Sequence, residues 1–105
     1  MSQQYLYRIR PIREGFLLES TAEEARIVSE HFRYLQQLAR DGVVLLAGRT
    51  RTADPTSFGI VIFEAESDEA ARALMNNDPA VRASVFCAEL FPFGVALASP
   101  RVVPT

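Results

Sequence analysis

The chain has one cysteine, one histidine and no lysine among its 105 residues, and each scarcity removes a class of explanation. Cys87 has no partner for an internal disulfide, which agrees with a reducing compartment. It lies inside the apolar run "SVFCAELF" and reads as a small core residue rather than a nucleophile. A lone histidine without a cysteine pair argues against a metal centre of the usual His/Cys kind, so no metal is expected. All 11 basic residues are arginines spread along the chain, and the net charge is -2. With no basic patch there is no global attraction to nucleic acid, and the missing lysine reads as coding bias. No apolar run approaches the roughly 18 residues of a membrane span. The opening "MSQQYLYRIRP" lacks the basic segment and uninterrupted apolar core of a secretory signal, so the expected location is the cytoplasm. No glycine-rich fingerprint follows a strand, and no cofactor is expected.

What remains is 49% hydrophobic and 23% charged, the balance of a soluble globular protein. The length allows one domain with a real core over residues 1–105. "QYLYRIRP" alternates, placing Tyr5, Tyr7 and Ile9 on one side and Leu6, Arg8 and Arg10 on the other, which makes a strand ended by Pro11. "STAEEARIVSEHFRYLQQLARDG" is a helix with Ser20 or Thr21 as N-cap, Glu23 and Glu24 in its first turn and Gly42 as its stop. "VVLLAG" and "FGIVIFEAE" are two strands joined by the polar loop "RTRTADPTS". "SDEAARALMNNDP" is a second helix, capped by Ser67 and broken by Pro79, and "SVFCAELFPF" is a fourth strand. The core thus spans about residues 5–93, and residues 94–105 form an arm or an extra edge strand.

The order β-α-β-β-α-β is that of an α+β, ferredoxin-like sandwich: an antiparallel sheet with two helices on one face. Such a sheet alternates apolar and polar residues when its other face is wet, yet "VVLL", "IVIF" and "SVFCA" are apolar almost throughout. Both faces then need cover, and the simplest second cover is another copy packed sheet to sheet as a homodimer.

On the first helix, Ala25, Val28, Phe32, Leu35 and Ala39 form one stripe at about 100° per residue, and His31 falls beside it with Ile27, Tyr34 and Leu38. His31 therefore points inward or to the core margin, where it needs a hydrogen-bond partner. Taken alone, an inward histidine is more often structural than catalytic.

The phrases "HFRYLQQLARDGVVLLAG" and "GIVIFEAESDEAARALMNNDPAV", followed by a closing strand ending "LFPF", resemble the YCII-related family of small dimeric α+β-barrel proteins, from about Tyr5 to Phe93. The resemblance implies an active site centred on a first-helix histidine and the aspartate of an Asp-Pro pair, which match His31 and Asp78. The carboxylate would orient one imidazole nitrogen while the other faces a ligand, a general acid or base near neutral pH. The chain departs from many relatives after Ala47 and Gly48, where Arg49 and Thr50 stand in place of a proline.

Arg8 and Arg10 are expected between the two sheets of a dimer, where paired guanidinium groups suit a carboxylate or phenolate, or else in ion pairs with Glu89 or Glu64. Arg49, directly after an apolar run, is expected to reach the ligand space or the dimer interface, and Arg51 to be solvated. With Tyr34 on the histidine's side of the helix, the substrate-binding candidates are Arg8, Arg10, Tyr34 and Arg49. Two functions stand side by side. One is a cofactor-independent enzyme moving protons on a small organic, anionic ligand, as an isomerase, lyase or dehalogenating eliminase with His31 and Asp78. The other is a non-catalytic dimeric module binding a metabolite or a protein.

Overall fold

The structure, a computed structural model, describes residues 2–101. Its elements run β1 (Gln3–Pro11), a 3-10 turn (Glu14–Leu17), α1 (Ala22–Arg40), β2 (Val44–Arg49), β3 (Gly59–Ala65), α2 (Asp68–Asn76), α3 (Pro79–Arg82) and β4 (Phe86–Pro92). The strands form one antiparallel sheet in the order β2-β3-β1-β4. With the helices on one face, this is a mixed α+β fold resembling a ferredoxin-like sandwich, and β1 is a central strand.

Local signals account for the boundaries. At the start of α1, the Thr21 hydroxyl accepts from the Glu24 N–H at 3.0 Å while the Glu24 carboxylate accepts from the Thr21 N–H at 2.9 Å, a reciprocal capping box. α1 ends on Gly42 at φ 77°, with Val43 N–H donating to Leu38 O at 2.9 Å and Gly42 N–H to Ala39 O at 3.1 Å. The positive φ is the reason glycine stands there. The same pattern closes α3, where Val85 N–H reaches Ala80 O at 2.9 Å and Ser84 N–H reaches Val81 O at 3.1 Å. The left-handed position is occupied by Ser84 at φ 59°, a residue with a Cβ in a conformation that glycine tolerates better. Pro79 does more than end α2: it is the first residue of α3, a place where its missing N–H costs nothing, with Asp78 as the N-cap.

The helix-side face of the sheet is a set of cross-strand rows, buried at its centre and open at the edge strand β2. Val44, Phe63 and Tyr5 are neighbours in one row, and Ala47, Val61, Tyr7 and Leu90 in the next. Tyr5, Tyr7 and Phe63 are almost fully enclosed, with Phe63 in ring contact with both tyrosines at 5.8 and 5.7 Å. A β-bulge between Val44 and Leu46 lets Val44 face the helices and Leu46 face away, so the apolar run of β2 serves both faces.

Two sequence expectations need correction, and one element is added. The buried face of α1 is rotated from the expected stripe: Ile27 and Leu35 are buried, His31, Tyr34 and Leu38 partly so, while Ala25, Phe32 and Ala39 are exposed. The spacing 27, 31, 34, 35, 38 follows the helical period just as well, and contact with α3 and β2 selects it. Cys87 is exposed, because alternation along β4 turns it to the open face of the sheet, opposite Arg10. The 3-10 turn between β1 and α1 was not foreseen. It is held by Arg13, which donates to the Glu24 carboxylate at 2.7 and 2.8 Å and to Glu19 O at 2.7 Å. Of the proposed arm, residues 94–101 are exposed and outside any helix or strand, and its last four residues lie outside the described residues.

Candidate active site

His31 sits mid-way along α1 and Asp78 at the junction of α2 and α3, 47 residues apart in sequence. The fold brings them together: His31 Nδ1 lies 2.8 Å from each carboxylate oxygen of Asp78. Asp78 is completely buried, whereas the imidazole is 12% exposed. Two further donors converge on the carboxylate. The Tyr7 hydroxyl, from the middle of β1, donates to Oδ2 at 2.8 Å, and the Ala80 N–H donates to Oδ1 at 3.0 Å. A buried carboxylate needs such donors to offset its lost hydration, and here they come from α1, β1 and α3. Asp78 thus caps a helix and is enclosed at the same time.

The acceptor that Nδ1 faces assigns the tautomer. Nδ1 carries the hydrogen, and Nε2 of the neutral ring is an acceptor. Among the described residues Nε2 has no hydrogen-bond partner, and no buried polar side-chain atom lacks one, so Nε2 reaches the surface. The ring edge is packed by Phe86 of β4, at 5.4 Å between centroids, and Phe86 is packed in turn by Phe16 of the 3-10 turn at 5.5 Å. The imidazole is thus held on one side by a carboxylate, bordered by aromatic rings, and open at the nitrogen able to take or give a proton.

Two tyrosines border the pair. Tyr34 is half-buried, and its hydroxyl donates to Leu74 O at 2.6 Å, tying α1 to α2. Burial, with the negative charge of Asp78 adding, pushes its pKa up to about 12. Tyr7 is fully enclosed, and burial together with the Asp78 charge and hydrogen bond raises its pKa far above the ordinary phenol value. Both remain neutral donors across the physiological range. Tyr7 was placed on the buried side of its strand by sequence alternation but not in the site. The available signal was that a buried tyrosine hydroxyl requires an acceptor.

The remaining candidates lie elsewhere. Arg8 is on the open face of the sheet, where two of its N–H groups donate to one Glu89 oxygen at 2.6 and 3.2 Å and its guanidinium lies 5.8 Å from the Phe58 ring centre. The ion-pair alternative is therefore the observed arrangement within this chain. Arg10 is exposed in the neighbouring position of that strand face. Arg49 is exposed at the end of the edge strand β2 and lines a shallow, largely apolar groove of about 300 Å³ with Leu46, Phe58 and Ile60, while Arg51 is solvated as expected. A second hollow, of about 480 Å³, lies by Asp41, Glu64 and Leu74. Neither hollow is lined by His31 or Asp78.

The geometry can be set beside known proteins. The model of the YCII-related domain matches residues 6–93, and the chain belongs to the YCII-related family. No curated protein matches its sequence. Among solved structures it is similar to 5-chloro-2-hydroxyhydroquinone dehydrochlorinase from Burkholderia phenoliruptrix AC1100, determined in complex with 2,5-dihydroxybenzoquinone: 21% identity, TM-score 0.62, covering 86% of this chain and 93% of that one. It is also similar to an uncharacterized protein from Thermotoga maritima, at 10% identity and TM-score 0.57, over 90% of this chain and all 100% of that one. A third is a cofactor-independent oxygenase from Streptomyces nogalater, at 16% identity and TM-score 0.51, over 94% and 97% of the two chains. At these identities the likeness is one of fold. Among the described residues no helix is long and apolar enough to cross a membrane.

Proposed function

We propose that His31 and Asp78 form an acid/base site that moves a proton on a small organic molecule, in the manner of an isomerase, lyase or dehalogenating eliminase. The observation that carries the reading is the division of the imidazole: Nδ1 engaged by a buried carboxylate, Nε2 without a partner at the surface. In the proton-transfer step Nε2 takes a proton from the ligand, the ring becomes an imidazolium, and the Asp78 charge stabilises it; in an isomerisation the proton returns to another atom of the product, and in an elimination the electron pair left on the ligand expels chloride while Nε2 passes its proton to solvent. The similar dehydrochlorinase, whose name describes removal of hydrogen chloride from a hydroxylated ring, makes a phenol-type ligand the first class to test.

The proposal extends to the assembly and its setting. Leu46, Ile62, Leu6 and Phe91 are register neighbours in one apolar row across all four strands on the open face. A second copy covering this row, sheet to sheet, would make the dimeric α+β barrel, with Arg8, Arg10 and Arg49 near the interface and Tyr34 beside the ligand. The setting that fits is the cytoplasm. Light scattering after size exclusion tests the dimer, and a monomer at low micromolar concentration would sink it.

A second reading, a binding module without turnover, is favoured by one observation: in the single chain neither hollow is reached by His31 or Asp78. Chlorinated hydroxyhydroquinones with chloride release as the readout, and deuterium exchange into phenolic rings, separate the two. Activity that falls by about 10²–10⁴-fold in His31→Ala supports catalysis. Tight binding by both proteins with no chemistry in either supports the module.

A further inference from the structure

We infer that Tyr7 is a positioning residue of this site: its hydroxyl, held on Oδ2 of Asp78, sets the orientation of the carboxylate and thereby the basicity of His31. The inference rests on the acid/base reading of the pair and names what controls it. Three observations carry it. First, Tyr7 comes from the rigid centre of the sheet, paired on both sides with Val61 and Leu90, and its ring packs edge-on against Phe63 at 71°. The hydroxyl is therefore placed by a strand paired on both sides. Second, among the described residues that hydroxyl has one partner, the Asp78 oxygen at 2.8 Å, in a completely buried setting. Third, Ala80 N–H holds the other oxygen at 3.0 Å, so the two fixed donors pin the carboxylate at both ends while Nδ1 of His31 lies 2.8 Å from each.

The direction of the effect follows from charge sharing. A neutral donor on a carboxylate withdraws negative charge from the bond to the imidazole. With the Tyr7 donor present, Asp78 attracts the imidazolium less strongly; without it, more of the carboxylate charge faces His31 and the imidazolium is favoured. The groups that face the pair are Tyr7 from β1, Tyr34 from α1, the Ala80 N–H from α3 and the apolar ring of Phe86 from β4. Tyr34 is neutral, and its hydroxyl is committed to Leu74 O, so it does not replace Tyr7. Among the described residues, Oδ2 has no donor besides the Tyr7 hydroxyl and Nδ1 of His31 itself.

The single histidine makes the test direct, because the full chain gives one imidazole signal. Nitrogen-15 spectra of the ring are recorded against pH for the natural protein, Tyr7→Phe and Asp78→Asn. Tyr7→Phe removes one oxygen and keeps the ring, so the fold is expected to persist. The imidazole midpoint should rise by about half a unit or more, and the acid limb of any proton-transfer profile should move by the same amount. Tyr7→Phe with an unchanged midpoint and tautomer, and only a lower Tm, overturns the inference and leaves Tyr7 as packing. Asp78→Asn separates this failure from the larger one. A midpoint that falls in Asp78→Asn while Tyr7→Phe leaves it still rejects Tyr7 alone. A midpoint unmoved by Asp78→Asn rejects the pair, and Tyr7 with it.

Discussion

The two faces of the sheet use the same side-chain chemistry to different ends. On the helix-covered face, an acid and a base from distant parts of the chain meet in a buried setting, with Tyr7 and the Ala80 N–H completing the carboxylate's partners. On the open face, Arg8 and Glu89 are register neighbours on adjacent strands, and their side chains are 39% and 48% exposed. Water screens the second pair, whereas the Asp78 carboxylate of the first is fully enclosed. Removing one member of the buried group leaves polar atoms stranded, whereas removing one member of the open pair returns the other to solvent.

The largest effect should therefore come from Asp78→Ala, which strands the Tyr7 hydroxyl, the Ala80 N–H and the imidazole together. A loss of roughly 3–5 kcal/mol in urea unfolding is expected, and a loss below about 1 kcal/mol would mean that the site repacks or hydrates. His31→Ala should be milder, at about 1–2 kcal/mol, since Asp78 keeps its two other donors and the ring is at the core margin. The fold and assembly should survive while turnover disappears; circular dichroism and light scattering beside the activity assay check all three. A fall as large as that of Asp78→Ala would instead make the histidine structural.

Ser84→Gly works in the opposite direction on the loop that leads from the site to Phe86. It relieves the positive φ at the end of α3 and should raise stability by about 0.5–1 kcal/mol, read as a higher urea midpoint. A neutral or negative result would show that the Ser84 side chain compensates for its backbone.

Acid titration sets the capping cluster at the start of α1 apart from the buried site. The Arg13 guanidinium, and then the Thr21 N–H, hold the Glu24 carboxyl down at about 2 from an ordinary 4.5. A depressed carboxyl contributes stability that is complete above 4.5 and is lost as pH falls toward 2. Urea midpoints for the natural protein should decline through that window, and Glu24→Gln should lack this part of the decline. Parallel curves would remove Glu24 from the account. Smallest of all, Arg8→Ala should change stability by no more than about 0.2–1 kcal/mol, less at high salt. A larger effect that depends on protein concentration would place Arg8 in an interface between copies.

Element order was legible because each signal is local. Thr21 with Glu24, Gly42, Ser67 and the alternation of Tyr5, Tyr7 and Ile9 act within a few residues, and each does in the fold what its spacing predicts. The pairing of His31 with Asp78 was legible only through family resemblance, since nothing local to α1 encodes a partner 47 residues away. Tyr7 escaped notice because alternation says that a side chain is buried without saying what it meets. The rotation of α1 escaped for a related reason: two apolar stripes fit the same period, and only contact with α3 and β2 chooses between them.

The sequence by itself thus determined the four strands, α1 and α2 with their caps, and the antiparallel order, all consequences of backbone hydrogen bonding and short-period patterning. Only the tertiary structure decided which side of α1 is inside, that Asp78 caps a helix while its carboxylate is enclosed, and that Tyr7, Asp78 and His31 share one network. Those outcomes depend on desolvation and on donors brought together from β1, α1 and α3, and desolvation exists only once the layers have closed over them.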